Sequence, residues 1–478
     1  MPMKAVFHQS TVIYDILSGP HMENTASRGG FSGRLGFILA AAGSAVGLGN
    51  LWRFPYLAEQ YGGGIFLLTY LVIVITFGVA LMITELAIGR RTGKSCIDAF
   101  LDLGEKYRVI GWIIALIPII IVPYYCVIGG WVTKYFVEYA VGAGSAPATE
   151  GFFGDFMSAS LPGVFDNPMT WFVIYALLSV LVVVFGVQKG VERMSKILMP
   201  ALLILLMALC VYMFTLPGIG NGLSYYLVPN FDEFSMSTVL GAMGQLFYSL
   251  SLAMGIMITY GSYMRKSVNI ERSAQTICLT DTSVAFLSGL LVVPAVVMFS
   301  GDVGLSSGPG LMFQTMPLVF ETMPAGHVIG AAFFLLAMFA AWTSSISLAE
   351  TVVSIFRDRW RMRRNLACLL CLAITLLLGT LSCLGYGPLS GIEPLGMAFL
   401  DFFDFITNSI LMPIVALATC IIIGYVVKVS FVTEEVEASG NRFGMKRAYK
   451  YLIMIVCPVC MTLILATGLL DYFGIYSI

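Results

Sequence analysis

The chain has 478 residues, of which 58% are hydrophobic and 11% charged, and its mean hydropathy is +0.90. A soluble domain usually carries about 25% charged residues, so a soluble fold of this size would lack the polar side chains to cover its surface, and the composition indicates a membrane protein. The net charge of −1 argues against nucleic acid as a partner.

Apolar runs of about 20 residues are long enough to cross a hydrocarbon core about 30 Å thick. The chain contains eleven such runs, labelled α1 to α11 in chain order. They cover residues 34–57, 63–90, 109–140, 169–186, 194–216, 239–264, 273–300, 325–356, 365–384, 394–427 and 447–470. This pattern predicts an all-α polytopic protein with a single membrane domain over residues 34–471.

Among the loops between these spans, Lys and Arg occur only on one side. The opposite loops, at 141–168, 217–238, 301–324 and 385–393, contain neither residue. Cytoplasmic loops are enriched in Lys and Arg, so we expect a cytoplasmic N-terminus, an external C-terminus and a location in a bacterial inner membrane. Residues 1–33 lack an apolar run long enough for a cleavable signal and are predicted to be a cytoplasmic tail. Within the tail, residues 1–21 look unlike the rest, and Met22 is an alternative start.

Two of the spans carry unusual interruptions. In α1, three glycines fall within Gly43–Gly49, and each costs a helix about 1 kcal/mol relative to alanine. In α6, the interruption is Ser249–Gly255. The first ten spans divide into two five-helix halves, 34–216 and 239–427, and α11 follows at 447–470. Because each half has an odd number of spans, the second half enters the membrane from the opposite side and is inverted relative to the first. Matching interruptions in inverted halves predict a binding site near the bilayer midplane.

The alternative explanation for the α1 glycines is close helix packing through small residues. Asn50 and Arg53, which follow directly, favour a binding site, because packing motifs need neither. Some charged residues lie inside apolar runs, where charge is costly and usually functional. Those of interest here are Arg53, Glu85, Asp281, Glu350, Asp401 and Asp404. We expect Glu85 to hold the loosened backbone of α6; for each of the others, a structural ion pair or hydrogen bond remains the alternative.

Hydroxyl groups in α8, at Thr343 and Ser344, usually bond back to their own helix. Beside a helix with free carbonyls, they become hard oxygen ligands for a cation. The sequence shows no phosphate-cradling loop, metal-ligand cluster or nucleophile–base pair, which argues against an enzyme.

Several ordered motifs closely resemble the neurotransmitter:sodium symporter family. The resemblance covers residues 28–427 and rests on Gly43–Pro55, Gly62–Gly64, Tyr124-Tyr125, Gln245–Ser251, Asp281 and Thr343–Ser345. It implies the LeuT-type fold, an inverted five-helix repeat with α1 and α6 unwound mid-membrane, in the eleven-helix variant found among bacterial members.

By this resemblance, two Na⁺ ions act as coupling ions beside a small amino acid. The first sodium site would use the Ala45 carbonyl, Asn50, Ser249, Asp281 and the substrate carboxylate. The second would use the carbonyls of Gly43, Val46 and Ala340 with the hydroxyls of Thr343 and Ser344. The substrate carboxylate would meet the Leu48 and Gly49 amides and the Tyr125 hydroxyl, and the amino group would meet the carbonyls of Ala45, Tyr248 and Ser251. The side-chain pocket would be lined by Ser44, Ile121, Tyr248, Met254 and Leu348.

The resemblance also implies two gates. Arg53 with Asp404, capped by Tyr125 and Tyr248, would form the outer gate. Arg28 with Asp358, together with Phe31 and Tyr263, would form the inner gate, although many members have Trp where this chain has Phe31.

Eukaryotic members carry Asn and Ser in α7 and need chloride to balance charge. Asp281 supplies a fixed negative charge instead, so we expect no chloride requirement. The sequence thus predicts sodium-coupled import of a neutral, hydrophobic L-amino acid by alternating access. An amino-acid sensor built on the same site and a proton-coupled transporter are the alternatives. The sequence makes no prediction of oligomeric state.

Overall fold

The computed structural model describes residues 30–299 and 309–472, and the secondary structure of these ranges is helical. Eight of the helices described are long and apolar enough to cross a membrane, and a helix pair bent by 55° provides a ninth span. Two further predicted spans fall short of that test by length: α4 has 17 residues, and α6 is interrupted at residues 250–255. Each of the eleven predicted spans therefore corresponds to a helix or a broken helix.

The broken spans are named by their halves. Span α1 consists of α1a (Arg34–Ala45) and α1b (Gly49–Gln60), and α6 consists of α6a (Met236–Ser249) and α6b (Ile256–Ser262). The other spans are α2 (Gly64–Thr92), α3 (Arg108–Ala140), α4 (Pro168–Val184), α5 (Arg193–Phe214), α7 (Ile270–Phe299), α8 (Gly326–Trp360), α9 (Arg364–Leu384), α10 (Phe399–Val426) and α11 (Lys446–Leu470).

Two span boundaries differ from the prediction for local reasons. Helix α7 begins at Ile270 rather than 273 because the Asn269 Oδ1 atom accepts a hydrogen bond from the Arg272 N–H group at 2.8 Å, which caps the first turn. Helix α10 begins at Phe399 rather than 394. Leu395 and Gly396 have φ values of 55° and 75°, so the chain turns there before the helix starts. Hydrophobicity alone marks neither boundary.

Helix α2 packs backbone to backbone against α6b. A Cβ atom added to Gly89 would lie 1.9 Å from the Ile258 carbonyl oxygen, and one added to Gly261 would lie 2.5 Å from the Leu86 carbonyl oxygen. Only glycine permits this approach on both helices. The second half of the broken α6 is thereby fixed to an unbroken helix.

The central spans are α3 and α8, which pack against each other, whereas α11 lies at the periphery and is the least buried span. The half α1a lies beside α7 and α8, and the half α1b lies beside α7. This arrangement places the interruption of α1 where α3, α6, α7 and α8 can all reach it.

Candidate functional site

The interruption of α1 frees backbone carbonyl groups. Val46 leaves the helix with a ψ value of 105°. The Gly47 N–H group donates to the Asn50 Oδ1 atom at 2.9 Å instead of to the carbonyl of Gly43. The Ser44 carbonyl accepts hydrogen bonds from the Ser251 and Ser344 hydroxyls at 2.9 and 3.1 Å. Hydroxyl groups from α6 and α8 thus satisfy part of the backbone that the break exposes, as a membrane interior requires.

The interruption of α6 contains an unusual backbone. Ser251, Ala253 and Gly255 have φ values of 53°, 61° and 77°. Non-glycine residues adopt this left-handed region at a cost of roughly 1–3 kcal/mol each, so surrounding contacts must hold them. Glu85 supplies one: its Oε1 atom accepts a hydrogen bond from the Ala253 N–H group at 2.6 Å. The expectation that Glu85 holds the loosened backbone of α6 is confirmed.

A polar cluster joins the two interruptions to α7. The Asn50 Nδ2 atom donates to the Asp281 Oδ1 atom at 2.8 Å and lies 3.0 Å from the Ser249 hydroxyl. The Ser249 hydroxyl in turn donates to the Asp281 Oδ2 atom at 2.9 Å. The Tyr70 hydroxyl lies 3.5 Å from the same carboxylate. Asn50 and Asp281 are fully buried. Rotation of the Asn50 amide about χ2 would turn its oxygen towards Asp281 and Ser249 and create a set of hard oxygen donors, which suits a small cation.

The second predicted set of ligands is also brought together. The Ser344 hydroxyl lies 3.3 Å from the Val46 carbonyl oxygen, and the Thr343 hydroxyl lies 3.0 Å from the Ala340 carbonyl oxygen. A Cβ atom added to Gly43 would lie 3.4 Å from the Thr343 Cβ atom. The end of α1a and the middle of α8 therefore converge on one point.

A narrow central cavity of about 30 Å³ lies between these two groups. Asn50, Ser249 and Ser344 line it and also belong to the predicted ligand sets. Leu48 is not among the lining residues, but its N–H group lies 3.4 Å from the Tyr125 hydroxyl oxygen. The lining residues are Ser44, Ala45, Gly47, Gly49, Asn50, Ile121, Tyr125, Tyr248, Ser249, Ser251, Met254, Ser344 and Leu348.

A second cavity, of about 410 Å³, lies on the other side of Tyr248, whose ring lines both spaces. This outer vestibule contains Arg53 and Asp404. The Arg53 guanidinium carbon lies 5.2 Å from the centre of the Tyr248 ring, while Asp404 accepts hydrogen bonds from Tyr124 at 3.0 Å and Asn408 at 2.5 Å. Within the described part of the chain, Arg53 and Asp404 form no ion pair. The structure places both predicted gate residues at the vestibule without joining them.

The predicted inner gate is only partly described, because Arg28 lies outside the described residues. Asp358 accepts a hydrogen bond from the Ser95 N–H group at 2.7 Å. The Phe31 ring packs edge-on against the Tyr263 ring, with the centroids 6.3 Å apart. The Tyr263 hydroxyl donates to Glu350 at 3.0 Å.

Glu350 is not an isolated intramembrane charge. It pairs with Arg364, whose Nε atom also donates to the Val183 carbonyl oxygen at 2.8 Å. The sequence left open whether Glu350 is a functional charge or part of a structural ion pair, and the structure shows the ion pair. The contact ties α8, α9 and the end of α4 together below the central cavity.

Sequence reasoning gave no role to Tyr70, Gln245 or Arg364. The Gln245 Nε2 atom donates to the Gly49 carbonyl oxygen at 3.0 Å, which secures the start of α1b. Gln245 is a polar residue within an apolar run, a signal that could have drawn attention to it. Tyr70 offers no such signal, because its aromatic ring fits the apolar pattern of the span around it.

Comparison with known proteins identifies the family. The sequence pattern of the sodium:neurotransmitter symporter family matches residues 28–142 and 148–476. An uncharacterized sodium-dependent transporter of Bacillus subtilis, YhdH, is 35% identical over 457 residues, which are 94% of this chain and 98% of that protein. The human sodium- and chloride-dependent GABA transporter 2 is 25% identical over 392 residues, which are 73% of this chain and 65% of that protein.

Among solved structures, the crystal structure of MhsT in complex with L-phenylalanine matches this fold with a TM-score of 0.82 at 33% sequence identity. The match covers 92% of this chain and 100% of that chain. Members of the matched family are transporters rather than enzymes. The chain therefore belongs to the sodium:neurotransmitter symporter family and is a multi-pass, sodium-dependent membrane transporter with the LeuT-type fold.

Proposed function

We propose that this transporter imports a neutral, hydrophobic L-amino acid together with sodium by alternating access. The observation that carries the proposal is the overlap of the polar cluster with the central cavity. Asn50 and Ser249 belong to both: they contact Asp281 and also line the space for the substrate. An amino acid in the cavity would bring its carboxylate to the edge of the cation site.

Two sodium ions fit the two convergent sets of oxygen atoms, one around Asp281 and one around Thr343 and Ser344. Two cations and a zwitterion would carry two positive charges into the membrane, which hydrocarbon penalises strongly. The fixed charge of Asp281 offsets one of them without a bound anion. We therefore propose a stoichiometry of two sodium ions and no chloride requirement.

The chemistry of the cavity wall supports a neutral, hydrophobic substrate. The larger aliphatic side chains that line the space are Ile121, Met254 and Leu348, and none of its lining residues carries a charged side chain. A charged substrate side chain would be buried there without a partner, at a large cost. MhsT, the structural relative, has been crystallised with L-phenylalanine.

Coupling follows from shared ligands. The substrate carboxylate completes the first sodium site, so each ligand strengthens the binding of the other by the same factor. The order of the two cavities supports alternating access: the vestibule reaches Tyr248 from one side, while Phe31, Tyr263 and the Glu350–Arg364 pair pack on the other.

The distribution of Lys and Arg supports a place in a bacterial inner membrane, with the N-terminus in the cytoplasm and the C-terminus outside. In this orientation the vestibule opens to the exterior, and the ion-paired side faces the cytoplasm.

Uptake by proteoliposomes tests the proposal. Radiolabelled leucine, phenylalanine, glutamate and lysine are offered under an inward sodium gradient, a proton gradient or neither. We expect accumulation of leucine or phenylalanine under the sodium gradient alone, in the absence of chloride. Accumulation under the proton gradient alone would favour proton coupling, and sodium-dependent binding without any accumulation would favour a sensor.

A further inference from the structure

A third cavity, of about 700 Å³, lies on the arginine-rich side of the protein and shares no lining residue with the central cavity or the vestibule. Its wall is formed by three segments that are distant in sequence. They are residues 33–34 at the start of α1a, 265–272 between α6b and α7, and 440–444 between α10 and α11. Four arginines line it: Arg34, Arg265, Arg272 and Arg442.

Contacts between the two loops hold this wall together. The Glu271 carboxylate accepts hydrogen bonds from the Gly444 and Met445 N–H groups, both at 2.9 Å. The Asn269 Nδ2 atom donates to the Asn441 Oδ1 atom at 3.2 Å. The α6–α7 loop and the α10–α11 loop are therefore docked on each other, and their arginines are kept at the rim of one space.

Ion pairs within the part of the chain that the structure describes do not balance the positive charge of this cavity. Among the described residues, no acid forms an ion pair with any of the four arginines. Glu271, the acidic residue in the wall, uses both carboxylate oxygens to hold backbone N–H groups. One carboxylate against four exposed guanidinium groups leaves a net charge of about +3 around this cavity.

We propose that this cavity binds a phosphate-bearing anion. Guanidinium groups donate paired N–H groups to phosphate oxygens in a geometry that lysine cannot match. The cavity lies where α1, α7 and α11 begin, which is the level of lipid headgroups, and basic pockets at this level bind anionic phospholipids. An anionic lipid headgroup and a soluble phosphate compound share the required chemistry.

An anion bound in this cavity would influence the transport site through α1a. Arg34 is the first residue of α1a, and the other end of that helix supplies the Gly43, Ser44 and Ala45 backbone of the central site. The other three arginines belong to loops that are docked on each other. An anion bound among all four would therefore connect the start of α1a to a fixed part of the protein.

Titration calorimetry on the full chain in an uncharged detergent tests the site. The probes are dihexanoyl phosphatidylglycerol, dihexanoyl phosphatidylcholine and glycerol 1-phosphate. We expect saturable binding of phosphatidylglycerol, no saturable binding of zwitterionic phosphatidylcholine, and an affinity that falls as ionic strength rises. Equal binding of glycerol 1-phosphate would identify a soluble phosphate as sufficient, whereas a preference for phosphatidylglycerol would identify the lipid.

Two double variants make the test specific. Arg265→Gln with Arg442→Gln removes two charges from the cavity and should weaken binding by at least about tenfold. Arg193→Gln with Arg363→Gln removes two exposed arginines outside the cavity and should change the affinity by less than about threefold. Circular dichroism and the elution volume verify that both variants fold. The absence of saturable binding of either phosphate compound, or equal weakening in both double variants, would overturn the proposal.

Discussion

Replacing Asp281 with asparagine separates the charge of the first sodium site from its geometry. Asparagine keeps an oxygen of similar position but removes a negative charge that lies 2.8 Å from Asn50 and is fully buried. Two unit charges about 4 Å apart interact by about 4 kcal/mol at an effective dielectric constant of about 20. Allowing for relaxation and water penetration, the loss is about 2–4 kcal/mol, so we expect the sodium affinity to fall by at least about 30-fold.

The assay is binding of a radiolabelled amino acid as a function of sodium concentration, in chloride and in gluconate. Wild-type protein should bind equally in both anions. In Asp281→Asn, chloride should restore part of the lost sodium affinity, because an anion can replace the missing charge. Asp281→Ala, which also loses the ligand, should show no sodium-dependent binding.

The matched charge control is Asp102→Asn, which removes an exposed carboxylate paired with Lys94 and should leave the sodium affinity unchanged. A sodium affinity in Asp281→Asn within about threefold of wild type would refute the assignment of this carboxylate to the ion site.

Three further predictions concern the supports of the site. Glu85→Ala should lower the stability by about 1–3 kcal/mol, because the buried Ala253 N–H group loses its hydrogen-bond acceptor; the thermal unfolding midpoint in detergent measures this, and an unchanged midpoint would contradict it. Glu350→Gln should lower the thermal unfolding midpoint, because it leaves Arg364 unpaired. Adding Arg364→Gln to the same chain should recover part of that loss. If the losses of the two single variants simply add in the double variant, the ion pair contributes nothing to stability. Gly261→Ala should destabilise the protein, because the new Cβ atom would lie 2.5 Å from the Leu86 carbonyl oxygen. The control Gly154→Ala should not, because Gly154 has open space around it. Equal thermal unfolding midpoints for the two variants would refute the close α2–α6b packing.

The broad fold was accessible from the sequence because the membrane imposes strong rules. A span must be apolar and long enough, and the eleven apolar runs correspond to helices or broken helices of the structure. The interruption of α1 was visible because three glycines and Asn50 contradict the pattern of a plain span. The match of Gly43–Pro55 and Asp281 to the family then supplied the set of site residues, most of which the structure brings together.

Other features depend on contacts that the sequence does not encode locally. The left-handed conformation of Ala253 is supported by a hydrogen bond to Glu85, which lies more than 160 residues away. The pairing of Glu350 with Arg364 depends on the packing of α8 against α9. In the sequence alone, Glu350 is an isolated intramembrane charge and Arg364 is one of several arginines in a loop.

The separation of Arg53 and Asp404 illustrates a further limit. A motif can identify two residues of a gate, but whether the gate is closed is a property of one conformation among several. The structure shows these residues on the vestibule wall with other partners, Tyr248 for Arg53 and Tyr124 for Asp404.

The central claim is that sodium and an amino acid share one site, and reciprocal binding tests it most directly. The dissociation constant of leucine or phenylalanine is measured by calorimetry at rising sodium concentrations, with potassium as the substituting ion, and that of sodium is measured at rising amino-acid concentrations. The account predicts that each ligand tightens the other by the same factor, as linkage requires. Amino-acid binding that is independent of sodium would contradict it.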